Sequence, residues 1–301
     1  FKQILAGVVK GLGGWMRRGA QVSAALLAAA LVCGFGAEAM GGAGAAVRMA
    51  GCLGIATVCT SGLDGMIALA QETLDGLGSF SALLLPVLSS ALTASGGVTS
   101  GGTLYAGATL LISVLTSLIR SFLIPCVYCY FFLAVAQYAI GDDRLECLRE
   151  LAGWTVKTAL RAAVAAFTAY LTLTGLLAGA ADEMTLKAAK SVISTAIPVV
   201  GGMISEASQA VLTSAALIRN SAGIFGLLAV LAVGLGPFLQ IAVQYLALRV
   251  TAALSGFLAM QEHTKLLSCA ADAMGYMLAM TGSAMLMVVV AVCAFLKAVN
   301  G

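Results

Sequence analysis

Residues 103–140 carry a single charge, Arg120, and a single proline, Pro125. As one helix this run would measure about 57 Å, nearly twice the ~30 Å hydrocarbon core of a bilayer. It reads either as one kinked helix projecting beyond the bilayer or as two spans. A proline inside a helix removes a hydrogen bond, so the break belongs at Pro125. Residues 221–260 repeat the pattern, interrupted only by Pro237 and Arg249, and shorter apolar runs cover about 19–40, 43–69, 154–178 and 274–296. With 61% hydrophobic and 10% charged residues in 301, the chain has too few charges to cover the surface of a soluble domain. The expected fold is an all-α, polytopic membrane helix bundle of about six or seven spans in the lipid bilayer.

The remaining composition excludes more than it assigns. Sixteen basic and 13 acidic residues give a formal charge of +3. They lie between apolar runs, where they would sit at interfaces or fix topology. No Lys/Arg-rich tract interleaves with aromatics, so no nucleic-acid partner is expected. Of the eight cysteines, Cys33, Cys52, Cys59, Cys126, Cys129 and Cys293 fall in apolar segments, where a thiol behaves as a small hydrophobe. The Cys126–Cys129 CxxC lies in helical membrane sequence and reads as packing rather than a redox turn. The chain starts at Phe1 with neither an initiator methionine nor a signal peptide, and its natural N-terminus is expected upstream.

Two apolar stretches are poor spans. "SALLLPVLSSALTASGGVTSGG", residues 81–102, holds Pro86, Gly96 and Gly97; "SVISTAIPVVGGMISEA", residues 191–207, holds Pro198, Gly201, Gly202 and Glu206. Irregular backbone at membrane depth survives only inside protein or beside water, and a pair of such segments in corresponding halves points to a functional centre. On this reading they are re-entrant hairpins or broken helices meeting near the midplane. On the alternative reading each is an amphipathic helix along the interface, its glycines serving as ordinary caps.

The two stretches belong to an expected internal repeat. Residues 64–178 run charged lead-in, broken segment, long kinked run, amphipathic interfacial helix and final span, and residues 182–297 run the same order. Residues 1–63 precede them as a basic amphipathic segment and two Gly/Ala-rich helices, small residues that let membrane helices pack closely. "SLIR" ending at Arg120 echoes "ALIR" ending at Arg219, and "RLECLRELAGW" echoes "KLLSCAADAMGY". The spacings differ: Pro86 precedes its Gly-Gly by ten residues, Pro198 by three.

Arg120, Arg219 and the adjacent Asn220 are the intramembrane polar candidates. An arginine in an apolar run usually faces a partner or water, or snorkels from the end of a span. Glu38, Asp64, Glu206 and Arg249 have no partner that the sequence assigns. The one histidine, His263, sits in a charged segment with no second ligand nearby and reads as a surface residue. No HExxH, GxSxG or Walker loop is present, and Asp64 and Asp272 stand alone. No enzyme, metal or cofactor is expected.

"LLPVLSSALTASGGVTS" and "AKSVISTAIPVVGGMISEASQAVLTSAALIRNSAGIFG" resemble the stage III sporulation protein AE family of endospore-forming bacteria. Before about residue 60 only the hydropathy matches. The resemblance implies the large polytopic membrane subunit of a secretion-like complex in the mother-cell membrane facing the forespore. Other subunits of that channel complex, and further copies of the chain, are the implied partners. Pro86, Gly96, Gly97, Pro198, Gly201, Gly202, Arg219 and Asn220 fall on the family's recurrent motifs. The family usually has lysine before that asparagine, and Arg219 keeps the charge. The expected function is a non-enzymatic subunit forming a pore or a platform for partners. The alternative is a self-sufficient secondary transporter with its site between the two broken segments.

Overall fold

A computed structural model describes residues 2–39, 44–94, 98–141, 144–173, 221–258 and 261–300. They form α1 (Lys2–Ala39), α2 (Gly44–Ala94), α3 (Val98–Leu118), a π turn (Ile119–Leu123), α4 (Ile124–Ile140), α5 (Arg144–Leu173), α6 (Ser221–Leu258) and α7 (Gln261–Asn300). Among the described residues there is no strand, as the long apolar runs predict. Among them too, five helices contain stretches long and apolar enough to cross a membrane: Gly11–Gly36, Ala46–Val87, Ala106–Ile140, Gly226–Phe257 and Gln261–Ala294. The expected span at 154–178 is not among them through Leu173, and its last residues lie outside the described ones.

The long run 103–140 is one interrupted rod rather than two separate spans. The interruption is the π turn, and Pro125 follows it in the first turn of α4. There a missing N–H costs least, and the widened turn before it accommodates the ring. Gly141 ends α4 at φ 77°, a left-handed conformation that suits glycine, and its N–H donates to the Gln137 carbonyl at 2.8 Å.

Three expectations change. The stretch 81–102 does not break at Pro86: the helix runs through it to Ala94. Gly96 and Gly97 lie outside the described residues. "RLECLRELAGW" is the start of α5 and "KLLSCAADAMGY" is part of α7, so both lead-ins are continuous with the helices they precede. His263 is not a surface residue; it is fully buried.

The chain packs as two compact units. The first comprises Phe1–Ala70, Leu123–Val156 and Gly236–Leu278; the second comprises Gln71–Phe122, Lys157–Leu235 and Ala279–Gly301. In the first unit, helices adjacent in sequence pair antiparallel. Cys33 of α1 lies against Gly51 of α2, Tyr130 of α4 against Gly153 of α5, and Ser255 of α6 bonds Thr264 of α7 at 3.1 Å. Longer-range contacts join these hairpins. Ser23 of α1 donates to the Ala247 carbonyl of α6 at 3.3 Å, and Cys52 of α2 to the Tyr138 carbonyl of α4 at 3.6 Å. In the second unit, Gly76 of α2 abuts Val233 of α6, and Gly234 of α6 abuts Met285 of α7.

Burial is concentrated in α7. Of its most apolar stretch 72% is buried, against 17% to 33% in the other four candidate spans. Leu266, Leu267, Ala271, Ala273, Met277 and Met287 are all essentially inaccessible. In each unit α7 contributes buried apolar residues, Leu266 and Met277 in the first and Met287 and Val288 in the second.

Candidate functional site

A polar cluster forms in the first unit, where α4, α5, α6 and α7 meet. On α7, Cys269, Asp272 and Tyr276 recur at helical spacing and share one face. Glu146, Arg149 and Gly153 do so on α5, and Tyr245 and Arg249 on α6. The Arg249 guanidinium donates to an Asp272 carboxylate oxygen at 2.6 Å and to the Tyr245 hydroxyl at 3.3 Å. The Tyr130 hydroxyl donates to the other Asp272 oxygen at 3.4 Å, and its ring meets Tyr276 edge-on, centroids 5.3 Å apart.

A second arginine completes the cluster. Arg149 donates to the Cys269 sulfur at 3.1 Å and to Glu146 at 3.1 Å, and lies 5.9 Å from the centre of the Tyr130 ring. The Cys269 thiol in turn faces the Tyr138 hydroxyl at 3.9 Å. Burial works against the Arg149 charge, but Cys269 and the Tyr138 and Tyr130 hydroxyls outweigh it and raise its pKa above the ordinary arginine value. Glycine sets the spacing: a Cβ on Gly153 would stand 2.7 Å from the Tyr276 hydroxyl. The cluster gives each arginine a carboxylate and a ring to lie against. These bonds tie α4, α5, α6 and α7 together as a clamp between helices.

The predicted residues are dispersed. Arg120, in the π turn, forms an ion pair with Asp75 of α2 and donates to the Gln71 carbonyl at 3.3 Å. It therefore has a protein partner rather than snorkelling alone. Pro86 is exposed on α2. Gly96, Gly97, Pro198, Gly201, Gly202, Glu206, Arg219 and Asn220 lie outside the described residues. Asp64 and Asp272 are not alone: the Tyr128 hydroxyl donates to Asp64 at 2.6 Å, and Asp272 holds Arg249.

The cluster itself was missed, although a signal for it is present. The echo is sharper than it first looks: Cys147, Glu150, Gly153 and Trp154 share their spacing with Cys269, Asp272, Gly275 and Tyr276. Two segments with that pattern come into contact here. His263 lies elsewhere, beside the Arg48 backbone, Gly51 and Cys33, and neither ring nitrogen has a hydrogen bond of ordinary geometry. Among the described residues no group of three or more His, Cys, Asp or Glu is placed to hold a metal ion.

The family described as stage III sporulation protein AE matches residues 22–298. The chain belongs to this family. Every residue of the polar cluster lies within the matched range of this stage III sporulation AE member. A curated relative, stage III sporulation protein AE of Bacillus subtilis (strain 168), is 24% identical over 172 residues. That alignment covers 57% of this chain and 43% of the relative, so less than half of the relative's length is matched. No solved structure matches the chain.

Proposed function

We propose that the chain is a non-enzymatic membrane subunit of a sporulation transport complex linking mother cell and forespore, and that it works by assembling with copies of itself and with other subunits. The observation that carries this reading is the burial of α7. A helix whose most apolar stretch is 72% buried faces protein rather than water over most of that stretch, and so is a poor lining for a conduit through a single chain. A path for solutes then runs between chains. The clamp of Arg249, Asp272, Arg149 and Tyr130 supports the same reading, because it fixes four helices against one another.

Co-expression of tagged and untagged copies tests this. After extraction in mild detergent, the untagged copy is retained with the tagged one, together with other membrane subunits of the complex. Recovery of the tagged chain alone would contradict the proposal. A second reading, a self-sufficient secondary transporter, rests on the Arg249–Asp272 pair as a polar site among apolar helices. It predicts gradient-driven uptake into vesicles holding this chain alone, abolished by Asp272→Asn. The first reading predicts no such uptake.

A further inference from the structure

One face of α2 does not suit lipid. Gly54, Thr57, Ser61, Asp64, Ala68, Glu72, Asp75 and Ser79 recur every three or four residues, fall on one side of the helix, and are all exposed. Between Gly54 and Ser79 the only large apolar side chain among the exposed residues is Val58. The outward face of α6 is different: Leu246, Val250, Leu254 and Phe257 are exposed there.

The position of the bilayer along α2 does not alter the contrast. The stripe is about 38 Å long at 1.5 Å per residue, longer than the ~30 Å hydrocarbon core. A core of that thickness takes up about 20 residues, and every such window within Ala46–Val87 contains Ser61 or Glu72. Exposed carboxylates in lipid cost at least a few kcal/mol each, and such residues normally face water or protein. Side chains of the neighbouring rod reach the carboxylates of this face: Tyr128 reaches Asp64 and Arg120 reaches Asp75. Resting on the reading of an assembly with its path between chains, we propose that this face of α2 is the water-lined wall of that path. Lipid then covers the apolar faces, that of α6 among them.

Thiol accessibility in the assembled protein tests the proposal. Thr57→Cys, Ser61→Cys and Glu72→Cys are made singly in a background without native cysteines, with Leu246→Cys and Val250→Cys as references. A charged, membrane-impermeant thiol reagent is then applied to the chain in vesicles. The α2 cysteines react roughly tenfold or more faster than the α6 ones, because the reactive thiolate requires water. Equal, slow reaction at both sets of introduced cysteines would overturn the proposal. A chain that self-associates but shows that pattern contradicts the wetted face alone. A monomeric chain with reactive α2 cysteines supports the wetted face and contradicts the assembly.

Discussion

Gly51 and Gly54 stand three residues apart on α2 in opposite surroundings. A Cβ at Gly51 would lie 2.7 Å from the Cys33 Cβ, 2.8 Å from the His263 Nε2 and 2.9 Å from the Cys33 sulfur. At Gly54 nothing lies within 4 Å. Gly51→Ala therefore overpacks the junction of α1, α2 and α7 and costs about 1–3 kcal/mol. Gly54→Ala is neutral or stabilises by about 0.5–1 kcal/mol, because alanine loses less backbone freedom in a helix. Thermal unfolding of the two variants in one detergent measures the difference. Equal melting temperatures would contradict the packing at Gly51. His263 belongs to the same junction. Its charged neighbours in sequence made it look exposed, while the helices that bury it come from more than 200 residues upstream.

Among the elements, α6 and α7 form a hairpin held by Arg249 and Asp272. The two side chains are 41% and 36% exposed, so the pair contributes little net stability; the larger cost comes from leaving one charge without the other. Asp272→Leu alone is expected to lower the melting temperature more than Asp272→Leu combined with Arg249→Met. A double variant less stable than both singles would show that the two residues do not act as a pair. Sequence reading located the helices here but not their true lengths. Arg149 and Asp272 fall in the charged amphipathic segments that read as interfacial lead-ins to the final spans. Apart from Glu146, the partners of Arg149 lie on other helices, Cys269 being 120 residues away, and the only trace of them in the sequence is the spacing shared by the two segments. The π turn was legible as a break near Pro125, since a missing N–H is a local cause.

For the whole molecule, composition sufficed for class and hydropathy for most of the helices. Which helix would occupy the interior was not legible in the same way. The runs containing α6 and α7 are both apolar, and only packing distinguishes the exposed Leu246, Val250 and Phe257 from the buried Met277, Met280 and Val288. On the proposed reading, the burial of α7 puts the conduit between chains and the polar face of α2 is its wall. Both depend on the chain assembling with itself in a bilayer. Native mass measurement of the full chain in lipid nanodiscs tests this most directly. The predicted result is a protein mass that is a whole-number multiple, two or greater, of 30.3 kDa, and a single 30.3 kDa copy throughout would contradict it.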